Sequence, residues 1–350
     1  MMNRFGNLNT DSAWPTEDLE DVGGCPFCAS TGRTVAYEDV EDWTFEAAPG
    51  RWTYWDCTQC GSLYLDPRPT EQSIWSAYDA YYTHNQTSKG GGLQRLKRRL
   101  LNECWSHWLK TEIRPRLGLP RILAPLLTPL RPTIPPPFEL EVLAELPKGE
   151  LLDVGCGSGV TLRLAALLGW RATGLELDPA AVHAARADGL DVIQGSYRKL
   201  EEHPGRWDYI ICSHVLEHVH HPLDLLELID SALTSSGVAI ISCPNSQSYV
   251  RKRFGSSWRG LEAPRHLAIP SLDVLVDRIT SRGFSVTEIP PIGSTTIKGS
   301  REILQSRRRR HVQADQSLQQ LQEATHPPTG HSNPDLIQLV CRKSPTGTAH

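Results

Sequence analysis

Residues 151–159 read Leu-Leu-Asp-Val-Gly-Cys-Gly-Ser-Gly, and a helical pattern follows from Thr161 to Leu168. An apolar run, a turn of alternate glycines and a periodic apolar stretch predict a strand, a tight loop and a helix. Further strand candidates follow at 172–176, 191–194, 209–213, 238–242 and 284–288, with spaced Leu and Ala between them. This alternation predicts an α/β fold, a mostly parallel sheet with helices on both faces. One more apolar segment, Asp335 to Cys341, lies beyond a Gln- and Arg-rich stretch (about 299–332), which reads as an insertion too polar to build a core.

The loop after the first strand of such a sheet is where ligands bind. A dinucleotide fingerprint, GxGxxG, would need glycine at position 160, where the chain has Val160. Asp153, which opens the motif, suits a cationic amino-acid tail better than a pyrophosphate. Gly155, Gly157 and Gly159 let the backbone approach a ligand closely. Glu176 ends the second strand about 20 residues on, where a carboxylate can accept from both ribose hydroxyls. These features favour S-adenosylmethionine over a nicotinamide cofactor.

The ordered blocks LLDVGCGSG (151–159), GLELD (174–178), WDYIICSHVLEHV (207–219), GVAIISCPN (237–245) and WRGLEAPRHL (258–267) resemble the class I S-adenosylmethionine-dependent methyltransferases, particularly members with an N-terminal zinc ribbon. The resemblance implies a Rossmann-like seven-stranded sheet whose last strand, Asp335 to Cys341, runs antiparallel. It also implies that Asp153, Gly155, Gly157 and Glu176 contact the cofactor, with Asp178 nearby and Ser213 and His214 closing the site. Cys156, Gly159 and Leu177 belong to the same blocks. Many relatives carry an acidic residue after the third strand for the adenine amino group. Here the chain reads Gln194-Gly-Ser-Tyr197, so adenine recognition is expected from Ser196, the backbone or stacking.

Methyl transfer from a sulfonium is an in-line displacement on an activated donor, so alignment matters most. A hydroxyl acceptor also needs a base, and histidine titrates in the right range. The candidates are His266, ranked first, then His214 and His218, which would share a face if a helix has begun there. Trp258, flanked by Arg259 and Arg265, reads either as a face for a sugar or anionic substrate or as a packed loop anchor.

Cys25-Pro-Phe-Cys28 and Cys57-Thr-Gln-Cys60 supply four thiolates in two close pairs, the donor set of a structural zinc ion with no open position. The aromatic stretch between them predicts the short strands of a ribbon over 23–66. The remaining boundaries are a polar tail over 1–22, a helical connector or lid over 67–138, a methyltransferase domain over 139–343 and a tail over 344–350.

At 350 residues with a formal charge of −4, the chain is not built as a wholly nucleic-acid-binding surface. Its nine cysteines, four of them paired for metal, suit a cytoplasmic setting. No secretory signal is read at the N-terminus, and the apolar run 117–130 is too short and too proline-rich to span a membrane. The expected activity is O-methylation of a sugar or other small-molecule or glycan acceptor. An RNA acceptor is the alternative, through basic segments at 95–99 and 307–310, and a non-catalytic binding module is the reading from another class. None of these features fixes the oligomeric state.

Overall fold

The computed structural model describes residues 13–78, 92–110, 113, 118, 123, 126, 136–291, 296–310 and 333–344. The N-terminal strands are β1 (Leu19–Glu20), β2 (Arg33–Val40), β3 (Trp52–Cys57), β4 (Leu63–Leu65) and β5 (Arg68–Pro69). Helices α1 (Gly92–Trp108) and α2 (Phe138–Glu145) follow, and then the alternation begins. It runs through β6 (Leu151–Val154), α3 (Val160–Leu167), β7 (Ala172–Glu176), α4 (Pro179–Ala187), β8 (Asp191–Gln194), β9 (Trp207–Ser213), α5 (Pro222–Ala232) and β10 (Leu233–Pro244). After α6 (Tyr249–Phe254) come β11 (Ala268–Ile269), α7 (Leu272–Thr280), β12 (Phe284–Glu288), α8 (Thr296–Arg310) and β13 (Leu336–Lys343).

The large sheet has seven strands in the order β12-β13-β10-β9-β6-β7-β8. The expected α/β sheet is therefore present, with every predicted strand in it and the last strand of the chain inserted between β10 and β12. β6 is central: all four residues are buried, and it pairs in parallel with β7 on one side and β9 on the other, Val154 lying opposite both Leu175 and Cys212. A strand buried on both faces and both edges reads as an unbroken apolar run interrupted only where chemistry demands it, here at Asp153.

The chain divides into two compact units: Gln86–Cys212 with Leu228–Ile240 and Val340–His350, and Met1–Asn85 with Ser213–Glu227 and Ile241–Leu339. In the first, α3 turns Leu164, Leu167 and Leu168 toward a core of Trp105, Ile113 and Leu140, so α1 and α2 cover its outer face. On the inner side Leu162 packs with Cys156, Val182, Ala185 and Val192.

The second unit holds a four-stranded sheet in the order β11-β4-β3-β2. The strands β2, β3 and β4 form an antiparallel meander, and β11 completes it with Ala268 opposite Tyr64 and Ile269 opposite Leu63. One core serves both the ribbon and the later segments: Trp14, Trp52, Tyr54, Leu63 and Leu65 pack with Val250, Phe254, Trp258, Leu267 and Leu304.

Two polar stretches contribute more than their composition predicts. The expected tail, 1–22, lies outside the described residues up to 12, but Trp14 is buried edge-on against Trp52 and β1 pairs with β5. One indole and a two-residue strand anchor it. In the expected insertion, α8 buries Ser300, Ile303 and Leu304, because a few apolar residues at helical spacing provide a core face even in a strongly basic helix. Residues 311–332 of that insertion lie outside the described residues.

Candidate functional site

The glycine loop leaves the carboxyl end of β6. Gly155, Gly157 and Gly159 have φ of +69°, +54° and +84°, the left-handed region that favours glycine. At Gly159 a Cβ would come within 2.2 Å of Leu190 Cδ1, so the close approach of α3 to the end of α4 demands glycine. At Gly157 a Cβ would meet nothing within 4 Å, so the backbone there borders open space. The loop is pinned to β7 by Gly155 N–H, which donates to Leu175 O at 2.7 Å.

Glu176, at the end of β7, is buried and accepts three backbone hydrogen bonds. Gly157 N–H reaches Oε2 at 2.7 Å, and Leu177 and Asp178 N–H reach Oε1 at 2.7 and 2.8 Å. Asp178 then caps α4 by accepting from Ala180 and Ala181, which fixes the turn after Glu176. Gly195 N–H donates to Glu176 O, which holds Ser196 beside this turn, and Leu177 is an exposed leucine on it.

Asp153 is the unusual group. Its carboxylate is 3 % exposed, and Oδ2 has no hydrogen-bond partner. Burial, then the charges of Glu139 and Glu176, pushes its pKa well above the usual carboxylate range. A buried carboxyl with an orphaned oxygen beside two other acids calls for a cation.

The second unit gathers histidines. His214 has a φ of +55°, and its Nδ1 lies 3.2 Å from Glu217 Oε1. The His214 side chain is half exposed, whereas Glu217 is fully buried. Behind them His218 and His266 meet edge to face with ring centroids 4.6 Å apart. His218 Nδ1 lies 3.1 Å from Arg265 O and 2.9 Å from Tyr78 Oη, and His266 Nδ1 lies 2.7 Å from Gly260 O. Burial, then the neighbouring His218, lowers His266 to about 4. Glu262, buried but faced by His266, Arg259 and Arg265, is held down at about 2.

The ribbon fixes this arrangement. Tyr54 Oη on β3 lies 2.6 Å from Leu261 O and 2.9 Å from His266 O, and Leu267 N–H donates to Glu217 O at 2.7 Å. Arg265, fully buried, pairs with Asp42 through both terminal nitrogens and donates to Ala77 O at 2.9 Å.

Cys25, Cys28, Cys57 and Cys60 bring their four sulfurs within 4.8 Å of one another. Two of the separations are 3.6 Å (Cys25–Cys60) and 3.5 Å (Cys28–Cys57), close to the roughly 3.8 Å between sulfurs of a tetrahedral tetrathiolate site. Both turns have the same build: Ala29 N–H donates to Cys25 O and Gly61 N–H to Cys57 O, and Ala29 and Gly61 both have positive φ.

Residues 120–289 match the methyltransferase domain family. A ubiquinone biosynthesis O-methyltransferase of Xanthomonas campestris pv. campestris (strain B100) is 34 % identical over 119 residues, which is 31 % of this chain and 50 % of that protein. The protein of the same name from Shewanella pealeana is 28 % identical over 118 residues, with the same two shares of 31 % and 50 %. The chain thus spans about half the length of the curated relatives it matches. The solved structure of a SAM-dependent methyltransferase from Archaeoglobus fulgidus is similar with a TM-score of 0.40 at 18 % identity, over 68 % of this chain and 98 % of that one.

Within the matched residues, the first unit gathers Asp153, Gly155, Cys156, Gly157, Gly159, Glu176, Leu177, Asp178 and Ser196. Cys156 turns inward, where burial raises its thiol and a Cβ on Gly174 would strike its sulfur at 2.4 Å. In the second unit the histidine spacing has a different basis from the one expected. The helix is a single 3-10 turn, Leu216–His218, so His214 precedes it and His214 and His218 share no helix face; Glu217 and the loop carrying His266 bring the rings together. Ser213, the last residue of β9, is half-buried. Trp258 is 1 % exposed inside the core, and Arg259 and Arg265 both pair with Glu262, so the loop-anchor alternative holds and no open aromatic face exists there. Glu262, which stands in the same sequence block as Arg259, Arg265 and His266, pairs with all three. Asp42 and Tyr54 organise the cluster across more than 200 residues and carry no local pattern that marks them for it.

Proposed function

We propose that this chain transfers the methyl group of S-adenosylmethionine to a hydroxyl of a small-molecule acceptor. The observation that carries this reading is Asp153, a buried carboxylate with an orphaned oxygen beside a glycine loop whose backbone borders open space. A cationic amino-acid tail satisfies that oxygen, whereas a pyrophosphate would be repelled by it. Asp153 would hold the amino group of the donor and Glu176 a ribose hydroxyl. A carboxylate offers about four lone-pair sites, so three backbone bonds leave room for another. Leu177 and Ser196 would flank the adenine.

The donor's sulfonium supplies an activated methyl group. An acceptor oxygen displaces the thioether, forming the C–O bond as the C–S bond breaks, and the hydroxyl proton must leave. We assign that proton to His214, whose half-exposed imidazole is oriented by the buried Glu217 carboxylate. His266 and His218 lie behind it with their Nδ1 atoms engaged, a placement that favours His214 over the other two. The relatives' names favour a hydroxyl acceptor of the kind methylated in ubiquinone biosynthesis over a sugar or RNA. The matched methyltransferase family favours an enzyme over a binding module. The four cysteines would hold zinc as a structural ion, since four thiolates leave no position for substrate.

The test is calorimetric titration of the chain with S-adenosylhomocysteine and, separately, NADH, followed by methyl transfer from labelled donor to small hydroxylated aromatics. Saturable binding of S-adenosylhomocysteine alone, with label on an acceptor oxygen, is expected. Binding of NADH alone would overturn the donor assignment.

A further inference from the structure

A second group of metal-competent side chains lies away from the cysteines. Glu217, His218 and His266 each place one ligand atom within 4.8 Å of the others, and of these Glu217 is fully buried and His266 is 5 % exposed. The hydrogen bonds around them fix what those atoms are. A carbonyl oxygen only accepts, so the Nδ1 of His266 facing Gly260 O carries the proton and its Nε2 is left as a lone pair. The Nδ1 of His218 lies between Arg265 O, which only accepts, and Tyr78 Oη, which can accept as well as donate, so the tautomer that satisfies both contacts also leaves Nε2 as a lone pair. This is the arrangement by which backbone carbonyls orient metal-ligating histidines.

The carboxylate completes the set. Glu217 Oε1 is taken by His214, while Oε2 is buried with no hydrogen-bond partner. Three acceptors therefore converge, and the neighbouring guanidinium groups are engaged elsewhere: Arg265 by Asp42 and Glu262, and Arg259 by Glu262. A water molecule has two protons and can satisfy only two of the three acceptors. A divalent cation satisfies all of them at once and offsets the negative charge of the buried carboxylates.

We propose that Glu217, His218 and His266 bind a divalent first-row transition-metal ion at a site separate from the cysteine cluster. Two imidazoles and one carboxylate select zinc, manganese, iron or cobalt over magnesium or calcium, which prefer all-oxygen sets. Bonds of about 2.0–2.2 Å put tetrahedral ligand atoms about 3.3–3.6 Å apart, so atoms that lie within 4.8 Å of one another close up by as much as about 1.5 Å when the ion binds. Three protein ligands leave a position for an oxygen ligand, water or an acceptor hydroxyl, and that last role rests on the proposed O-methylation. The metal site itself does not. Bound to Oε2, the ion leaves Oε1 to orient His214.

The experiment uses the full chain, stripped with a chelator and titrated with Co2+. Two equivalents are expected: one with the strong thiolate-to-cobalt charge-transfer absorption of a cysteine site, one with ligand-field bands alone. Glu217→Gln and His218→Asn should each lose the second equivalent while keeping the charge-transfer band, which also reports that the unit carrying both sites remains folded. A wild-type chain that takes up one equivalent, or variants that both still take up two, would overturn the site. Methyl transfer is measured separately, so loss of the proposed acceptor chemistry with two ions still bound would count against the function and not against the metal.

Discussion

Replacing Asp153 by Asn keeps the shape of the side chain and removes its charge. Two opposite consequences follow. Burial and the charges of Glu139 and Glu176 raise the folded-state pKa of Asp153 above its unfolded value. The stability this group contributes is therefore complete below the unfolded value of about 4 and is lost as pH rises through the folded one. Asp153→Asn abolishes that loss, so the ligand-free variant should melt higher than wild type at neutral pH. Cofactor affinity should move the other way. A hydrogen bond to a charged partner is worth about 1.5–3 kcal/mol, and each 1.4 kcal/mol is tenfold, so the dissociation constant for S-adenosylhomocysteine should rise about 10- to 150-fold. Calorimetry in two buffers of different ionisation enthalpy checks the coupling: wild type should release a proton on binding wherever Asp153 is protonated beforehand, and the variant should not. An affinity unchanged within about twofold, together with unchanged proton release, would refute the role of Asp153.

Cys57→Ser should remove one metal equivalent per chain and lower the melting temperature, as measured by metal analysis and scanning calorimetry; full metal content would refute the tetrathiolate site. His214→Asn should lower the turnover number by about 10²–10⁴-fold with donor affinity unchanged, as read from steady-state kinetics and titration. Unchanged turnover would refute His214 as the base. Leu304→Ala should cost about 2–5 kcal/mol in urea melts, because α8 contributes to a shared core. Arg265→Met should cost about 3–5 kcal/mol by the same assay, since it leaves Asp42 and Glu262 buried without their guanidinium; a neutral effect would show that the pair is dispensable.

The parts of the fold legible in the sequence are those encoded over short distances. β6, its glycine loop and Glu176 sit within 26 residues, and each carries its own signal in periodicity, glycine placement or charge. The CxxC pairs are legible for the same reason. What the sequence hides is tertiary. In the sequence Trp258 fits an open face and an anchor equally, because only packing against Trp52, Leu267 and Leu304 decides between them. The segments holding Trp14 and α8 are polar on average, because one or two buried side chains do not change that average. The histidine cluster depends on a loop held by Tyr54 and Asp42, more than 200 residues earlier, and no pattern connects those positions.

The ribbon sheet takes its edge strand, β11, from about 200 residues after β4. At a synthesis rate of about 5–20 residues per second, Leu63 and Tyr64 leave the ribosome roughly 10–40 s before Ala268 and Ile269 can pair with them. During that interval the nascent ribbon presents an unpaired edge and an incomplete core, the state most exposed to aggregation or to pairing with another chain. The two cysteine turns need nothing beyond residue 62 for their backbone bonds, so capture of a metal ion there would hold the meander in register until the rest of its sheet arrives.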